Sequence, residues 1–579
     1  MIHKRGLQMK VDYIIKNAKI FTSDVKQLNA SAFAVKDGKF VYVGDEAGLA
    51  DFEGEVRDLG GAFVTPGLMD SHVHVTMGVA NEYKEFGSRI DCTNKKECVA
   101  YIEKYVQENP GQEHYDFMLE LANLNGDKLT KEDIDSVCPD SDVVIMEGEG
   151  HSVWVNSRVL KRLGVTDETP DIAPNLSTYE RDENGHVTGN MFEGAEISTI
   201  MYHTRDITDE QIEKALERWI DFSVAHGVTA VFDAGIPGCT SFHERCYAYL
   251  CKMDKEGRLP VYIDGCYPIV DPRDAKDAVE NVRRYNREFN TEHLKVHTLK
   301  IMMDGTMNIR TAAMITPYCD TKTTGATMLT KEQIAELLIQ LNEYGFDMHV
   351  HTVAEASSRA VLDGVELAKK QIGDKYRVQV TCAHLEVQHD ADLDRFAKLG
   401  VIANYTPWWH SGCCVSGGYE KAVEFLGRER ADKMYRCKTL WDTGALVTWS
   451  SDTISYGDFV AWNPLLGLEV GMTRTITTNT KADEFYQIGF EYPSPCEKMS
   501  IEEMLLGYTI NNAKQLCIDD VKGSIEVGKD ADFNVFDVNL LIAKPEGISY
   551  VMPSEVFMMG KKNELSIESA KNRRQYHEG

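Results

Sequence analysis

The chain has 579 residues, of which 43% are apolar, and its 91 acidic residues against 62 basic ones give a net charge of −29. A chain of this length requires two or three folding units. A protein with this net negative charge repels the phosphate backbone of nucleic acids, so nucleic acid is not expected to be a partner. No apolar run approaches the roughly 20 residues of a membrane helix, so no membrane association is expected.

The start of the chain and the cysteines indicate the compartment. Met1–Phe21 is basic but has no apolar signal-peptide core. The 14 cysteines are scattered, and no pair has the C-x-x-C spacing of a redox or metal motif. The sequence therefore predicts a cytoplasmic protein with reduced thiols, the adjacent Cys413 and Cys414 included.

The first predicted elements are short β-strands. Asp12–Phe21 and Ser31–Val43 alternate apolar and polar residues, with a turn at Lys36–Lys39. Short strands and glycine turns return at Gly523–Asp537. Two β-rich ends around a different middle predict that the termini pair into one small β-sandwich domain, residues 10–61 and 520–565.

The middle of the chain has the rhythm of a parallel α/β protein. Short β-branched runs alternate with amphipathic stretches such as Lys331–Tyr344 and Ala354–Lys370. Eight strands in this order predict a (β/α)8 TIM barrel built from residues 62–75 and 206–519. The candidate strands are Phe63–Asp70, Val228–Ala234, Val261–Tyr267, Val296–Met303, Phe346–His351, Val378–His384, Val401–Thr406 and Leu446–Asp452.

The connection after the first barrel strand is too long for an ordinary βα loop, since it runs from Thr76 to about Ala225. We expect a structured insertion at residues 76–205. Because it leaves the barrel at the carboxyl end of a strand, where barrel enzymes place their catalytic groups, it is predicted to be a lid over the barrel mouth.

Residues that can bind a metal recur at the strand ends. His72 and His74 are two apart on a strand, so both imidazoles point to one side. His351, His384 and Asp452 end later strands. A lone strand-end histidine is more often a hydrogen-bonded core residue, but four strand ends with nitrogen or carboxylate ligands predict a metal centre.

These motifs resemble a known family. The run from Gly67 to His74, Gly-Leu-Met-Asp-Ser-His-Val-His, is similar to the strand-one signature of the amidohydrolase superfamily. The order of further motifs resembles its amidohydrolase-3 branch, which includes N-substituted formamide deformylases, from about residue 10 to residue 540. The markers begin at Gly150, Gly189, Lys300, Arg310 and Gly523.

The resemblance implies a set of roles. His72 and His74 would bind a first metal ion, and His351 and His384 a second. Lys300, inside strand four, would bridge the two ions after carboxylation by carbon dioxide. Asp452 would bind metal and take the proton of the attacking water. Zinc is expected, with manganese or iron as alternatives and one or two ions per chain.

A further group of residues is predicted to line the substrate pocket: His151, Trp154, Glu193, Arg310, Trp408 and Trp409. The alternative for Trp154 is the core of the insertion, and the alternative for Trp408 and Trp409 is a buried cluster at the barrel rim. The family pattern is broken beside two ligands, at Thr352–Glu355 and Thr381–Ala383, so the family's usual substrate is not assumed.

The leading interpretation is hydrolysis of an amide, N-acyl or N-formyl carbon–nitrogen bond in a small, partly apolar molecule by metal-activated hydroxide. The alternatives are a one-metal deaminase of the same superfamily and a non-catalytic binding protein on the same scaffold. Lys300 separates the two enzymes, since a deaminase needs no bridging lysine. A homodimer is expected only because dimers are common among barrel enzymes.

Overall fold

The computed structural model describes residues 8–83, 88–119, 124, 126–148, 150–196, 199, 207–412, 418–454, 462–476 and 490–564. Cys413 and Cys414 lie outside these residues. The twelve cysteines within them are all free thiols. No helix among the described residues is long and apolar enough to cross a membrane.

The described strands form four sheets. In chain order they are β1 (Met9–Lys16), β2 (Lys19–Phe21), β3 (Asn29–Ala30), β4 (Ala32–Lys36), β5 (Lys39–Gly44), β6 (Phe52–Asp58), β7 (Phe63–Pro66), β8 (Leu68–Val73), β9 (His114–Leu119), β10 (Asp142–Glu147), β11 (Ser152–Val155), β12 (Tyr179–Arg181), β13 (Val187–Phe192), β14 (Val228–Asp233), β15 (Tyr262–Ile269), β16 (Leu294–Met302), β17 (Asp347–Thr352), β18 (Val380–His384), β19 (Ile402–Tyr405), β20 (Val447–Trp449), β21 (Phe533–Phe536), β22 (Glu555–Met558) and β23 (Lys561–Lys562).

The α-helices of the described residues, in chain order, are α1 (Val75–Tyr83), α2 (Lys95–Glu108), α3 (Lys131–Asp135), α4 (Ser157–Leu163), α5 (Asp209–Ala225), α6 (Thr240–Lys255), α7 (Ala278–Glu288), α8 (Lys331–Tyr344), α9 (Glu355–Ile372), α10 (Leu393–Leu399), α11 (Gly418–Leu426), α12 (Arg428–Ala431), α13 (Cys437–Asp442), α14 (Pro464–Thr473), α15 (Ile501–Leu506) and α16 (Asn512–Gln515). Many have local start and stop signals. Helix α8 begins with a capping box between Thr330 and Gln333 and ends at Gly345, which is left-handed.

The (β/α)8 barrel is confirmed. Its eight parallel strands are hydrogen-bonded in the order β20-β19-β18-β17-β16-β15-β14-β8, so each strand lies beside its neighbour in the chain. Two hydrogen bonds tie the edge strands together: the Ser71 hydroxyl donates to the Trp449 carbonyl (2.8 Å), and the Asp452 amide donates to the His72 carbonyl (2.8 Å). The carboxyl ends of the first and last strands therefore meet.

The first barrel strand differs from its prediction. The apolar run predicted as one strand, Phe63–Asp70, is divided at Gly67. Strand β7 pairs with β2 and β21 in the terminal sheet, whereas β8 pairs with β14 in the barrel. A Cβ at Gly67 would overlap Thr229, so the chain changes sheets at a residue with no side chain.

Both ends of the chain contribute to one β-sandwich, as expected. A six-stranded sheet has the order β23-β22-β21-β7-β2-β3 and combines strands from both termini. A four-stranded sheet, β5-β4-β1-β6, packs on it through a shared core that includes Phe33, Phe40 and Phe533. The predicted hairpin turn is Asp37-Gly38, and both residues have the positive φ of a type I′ turn.

The insertion after β8 has a sheet of its own. Its five strands have the order β12-β13-β11-β10-β9, with one parallel pair, β9 and β10. A separate apolar core, which includes Ile102, Phe117 and Ile145, lies between this sheet and the helices of the insertion. The insertion predicted from the length of the connection is thus a folded unit.

Candidate metal centre

His72 near the end of β8, His74 directly after that strand, and Asp452 form the inner group of the site. His72 Nε2 lies 3.3 Å from Asp452 Oδ1, and His74 Nε2 lies 3.4 Å from the same oxygen. One ligand atom from each residue lies within 4.8 Å of the other two. His74 is oriented through its other nitrogen, since Nδ1 lies 2.7 Å from the Gly235 carbonyl oxygen. A backbone partner on one ring nitrogen and a free second nitrogen is typical of a metal-binding histidine.

Asp452 does not end a strand as predicted. Strand β20 stops at Trp449, and Asp452 follows in a loop with a φ of 52°. The left-handed backbone is costly for an aspartate, and such strain persists only where the surroundings fix it. Here the Asp452 amide is bound to the His72 carbonyl, so the loop holds the carboxylate against β8.

Lys300 of β16 reaches the same point. Its Nζ lies 3.2 Å from His72 Nε2, and the side chain is fully buried. Burial lowers the pKa of Lys300 to about 8, although the Asp452 carboxylate acts in the opposite direction. A neutral amine is therefore accessible near physiological pH, and it is the form that reacts with carbon dioxide.

His351 of β17 and His384 of β18 complete the group. Their ring centroids are 4.4 Å apart, and His384 Nδ1 lies 3.7 Å from Asp452 Oδ2. Burial lowers the pKa of both imidazoles well below the usual value, so both are neutral. His351 Nε2 and both ring nitrogens of His384 are buried without a hydrogen-bond partner in the described structure.

These buried ring nitrogens without hydrogen-bond partners indicate whether the residues could bind a metal ion. A buried polar atom without a partner costs about 1–3 kcal/mol, and here several of them converge. Neutral imidazoles with free lone pairs, a carboxylate and a lysine are donors that suit zinc and similar divalent ions. The structure brings together all six residues predicted as ligands, and this donor set fits a divalent metal.

His349 was missed by the sequence analysis. Its Nε2 lies 2.9 Å from His72 Nδ1, and its ring stacks on Phe232 at 4.3 Å. The contact occupies one nitrogen of His72 and leaves Nε2 to face Asp452 and Lys300. The alternation of β17 could have revealed His349, because it is two residues before His351 and points to the same side.

Asp70 is a second residue that the sequence analysis passed over. Its Oδ1 accepts hydrogen bonds from the Ser451 amide (3.0 Å) and the His72 amide (3.2 Å). Burial raises the pKa of Asp70 to about 7, although these donors act to lower it. Asp70 therefore joins the first strand to the loop that carries Asp452.

The loop after His351 departs from the family pattern, and its backbone is hydrogen-bonded to Asp304. Asp304 accepts hydrogen bonds from the amides of Ala313 (2.9 Å), Val353 (2.9 Å) and Ala354 (3.1 Å) and from the Ser357 hydroxyl (2.8 Å). Burial raises the pKa of Asp304 to about 7 against these donors. Because these bonds join Asp304 to the backbone, the loop after His351 is supported despite its altered side chains.

The insertion contributes His151 and Glu193 next to the predicted metal ligands. His151 Nδ1 lies 2.8 Å from Glu193 Oε2, and the Thr311 hydroxyl donates to Glu193 Oε1 (2.6 Å). The His151 ring is 5.9 Å from that of His351. Burial would lower the pKa of His151, but the carboxylates of Glu193, Glu196 and Glu147 raise it to about 9. The insertion therefore presents a cation at the barrel mouth.

This ion pair makes stability depend on pH. The pKa of His151 is about 9 in the folded protein and about 6.5 in an unfolded chain. The pair therefore stabilises fully below about pH 6.5 and is lost as pH rises to about 9. In denaturant titrations, we expect the stability difference between wild type and Glu193→Gln to shrink over this range. A difference as large at pH 10 as at pH 6 would contradict the ion pair.

A matched control is His186→Gln in the same insertion. His186 Nδ1 lies 2.8 Å from Asp167 Oδ2, but this pair is exposed to solvent. Exposed pairs contribute about 0–1 kcal/mol, so this substitution should change stability little at any pH.

The predicted tryptophans have different positions. Trp409 stacks on the His384 ring at 5.2 Å and 19°, at the metal centre. Trp408 donates from Nε1 to the Ser451 carbonyl (2.7 Å) and supports the loop of Asp452. Trp154 is only 3% exposed and packs in the core of the insertion. The structure thus places Trp409 at the site but not Trp154, for which the core alternative holds.

Arg310 is committed to its own loop. Its Nε donates to Asp320 (2.9 Å), its Nη1 donates to the carbonyls of Met307 and Asn308, and its guanidinium lies 3.5 Å from the centroid of the Phe425 ring. Because these contacts use its donors, the structure gives Arg310 a supporting position and not the predicted one in the pocket.

Fold and site together define a metal-binding (β/α)8 barrel of the hydrolase class. The family model described as "Amidohydrolase family" matches residues 55–561. The chain belongs to the amidohydrolase family, and the prediction of an enzyme is confirmed.

Individual relatives are distant but similar over most of their length. The chain is 26% identical over 405 residues to the exoenzymes regulatory protein AepA of Pectobacterium carotovorum subsp. carotovorum, which covers 68% of this chain and 85% of that protein. It is 23% identical over 548 residues to the N-substituted formamide deformylase of Arthrobacter pascens, with coverage of 91% and 93%. A solved metal-dependent hydrolase of Pyrococcus horikoshii OT3 has the same fold, with a TM-score of 0.65, 19% identity and coverage of 92% and 99%.

Proposed function

We propose that this protein hydrolyses an amide, N-acyl or N-formyl carbon–nitrogen bond in a small, partly apolar molecule. The observation that carries the proposal is the fully buried Lys300, whose Nζ is 3.2 Å from His72 Nε2. A lysine at this point has a purpose in a two-metal hydrolase and none in a one-metal deaminase. The similarity to N-substituted formamide deformylase across 93% of that protein supports the same substrate class.

The ligand roles follow from the contacts. His72, His74 and Asp452 would hold one ion, and His351 and His384 a second, with carboxylated Lys300 between them; zinc is the ion we propose. Such ions, when bound, polarise a carbonyl and lower the pKa of water towards 7. Asp452 lies among the ligands, where it accepts the proton of the attacking water and delivers it to the leaving nitrogen.

Two further residues act on the substrate in this proposal. His151 keeps its cationic form through Glu193, so its Nε2–H is available to a substrate oxygen. The half-buried face of Trp409 offers aromatic surface beside His384, which suits a partly apolar substrate. The insertion, with proposed bounds 76–205, acts as the lid that excludes water, and its contact through His151 with the ligand His351 supports this role.

A substrate panel tests the proposal. Protein purified without chelator should contain one to two transition ions per chain and release free amine from N-formyl or N-acetyl derivatives of aliphatic or aromatic amines. An adenine-like amidine, which releases ammonia, serves as the comparison. Ammonia release without amide hydrolysis would favour the deaminase. Full activity in a metal-free chain would overturn both the hydrolase and the deaminase hypotheses. If metal-loaded protein turned over neither the amides nor the amidine, a non-catalytic binding protein would be favoured.

A further inference from the structure

A second group of metal-binding side chains lies at the other end of the barrel. Asp264 is near the start of β15, His297 is in the first half of β16, and Asp347 is the first residue of β17. Cys517 follows α16 and joins them. The ligand His351 is four residues after Asp347 on the same strand, roughly 13 Å further along. The group is therefore separate from the metal centre described above.

The side chains of His297, Asp347 and Cys517 have the spacing of metal ligands. His297 Nε2 lies 3.5 Å from Asp347 Oδ2, and Cys517 Sγ lies 3.4 Å from the same oxygen. One ligand atom from each lies within 4.8 Å of the other two. Ligands of a tetrahedral zinc ion, at bond lengths of about 2.0–2.3 Å, are about 3.5 Å from one another. An ion fits between these atoms without a large movement.

His297 is aimed at this point by an irregularity in the sheet. Between β15 and β16, Gly265 pairs with Val296 but Cys266 pairs with Thr298, so His297 is left out of the ladder as a bulge. A bulge re-aims the side chain of its extra residue. In this case the imidazole lies between two carboxylates, those of Asp264 and Asp347.

Asp264 supplies the inner partner of His297. Its Oδ1 forms an ion pair with His297 Nδ1 at 3.2 Å, and the residue is 2% exposed. A buried carboxylate on one imidazole nitrogen, with the other nitrogen facing further ligands, is the arrangement that orients metal-binding histidines. This is the observation that distinguishes the group from a chance surface cluster.

Asp347 and Cys517 complete the site from two directions. The Gln379 amide donates to Asp347 Oδ1 (2.8 Å), which leaves Oδ2 for the site. Cys517 is exposed, so the site is open to solvent and to ions. Cys517 also lies two residues after α16, in which Gln515 donates to the Ser71 carbonyl (2.7 Å), so an ion here would anchor that helix to strands β16 and β17.

We propose that His297, Asp347 and Cys517 bind a Zn²⁺ ion at the amino-terminal end of the barrel, with Asp264 orienting His297. Three protein ligands leave the fourth position to water. Binding releases two protons to solvent, one from the Cys517 thiol and one from Nε2 of the His297 imidazolium, because the thiolate and the neutral imidazole are the ligands. The ion is additional to those of the hydrolytic centre.

Cobalt reports on this site without reference to activity. The ligands assigned to the hydrolytic centre contain no sulfur, so a thiolate-to-Co²⁺ charge-transfer band in Co²⁺-titrated, chelator-stripped protein would come from the second site. We expect the band and one further bound ion per chain in the wild type. Cys517→Ala should lose both, whereas Cys496→Ala, which removes another exposed thiol, should keep both. Asp264→Asn should weaken Co²⁺ binding at this site by about 10–100-fold.

A second measurement covers the case in which a variant does not fold. In the wild type, alkylation of Cys517 followed by mass spectrometry should be slower with Zn²⁺ than after chelation, while alkylation of Cys496 should be equally fast in both. Absence of the charge-transfer band, a band that survives in Cys517→Ala, or unprotected Cys517 would each overturn the proposal. None of these outcomes bears on the proposed hydrolysis.

Discussion

Asp452→Asn should reduce turnover by about 10²–10⁴-fold while the fold stays intact. The amide is nearly isosteric with the carboxylate, but it cannot accept a proton, and it is a weaker metal ligand. The backbone bond from the Asp452 amide to the His72 carbonyl does not depend on the side chain, so the strained loop should persist. Steady-state kinetics with circular dichroism on the same samples measure both effects.

The control for this change is Asp390→Asn. The Asp390 side chain is 63% exposed and forms ion pairs with Arg436 and Lys433, so its loss should leave kcat unchanged. If Asp452→Asn instead kept its activity, proton transfer would have to be reassigned to another residue.

Lys300→Ala should lower the occupancy of at least one metal position. It should also reduce activity by more than the roughly 10–100-fold that is lost when a residue hydrogen-bonded to a metal ligand is removed. The substitution removes the proposed bridging ligand and its 3.2 Å contact with His72 Nε2. Short carboxylic acids added to the variant should restore part of the activity, because they supply two oxygens in the space left by the side chain. Elemental analysis and kinetics give the two readouts.

Lys295→Ala is the matched control, because it removes a lysine of the same strand whose Nζ donates to the Thr291 carbonyl. Its metal content should equal that of the wild type. A crystal structure with an unmodified Lys300 and one ion held by His72, His74 and Asp452 would contradict the two-metal reading and support the deaminase. The two-metal mechanism would also be contradicted if Lys300→Ala left both metal content and turnover unchanged.

The sequence by itself determined most of the elements of the barrel and which candidate ligands would lie at one end of it. Helix α8 was predicted with its observed bounds, since its cap residues Thr330 and Gly345 are local signals. His72 lies in β8 and His74 directly follows it, and the alternation of side chains along an extended chain puts both on one side. The carboxyl ends of parallel barrel strands meet at one face, so the sequence predicts that His384, at the end of β18, and Asp452, in the loop after β20, lie together.

Only the tertiary structure decided what each side chain faces. The run Phe63–Asp70 is buried on both sides of Gly67, so its hydrophobic pattern does not show that the two halves pair in different sheets. Trp154 and Trp409 are indistinguishable as residue types, yet one fills the core of the insertion and the other stacks on a ligand. His297 and Cys517 are far apart in the chain and meet only when the barrel closes. Local periodicity fixes which side of an element a residue occupies, whereas its neighbours depend on how distant elements pack.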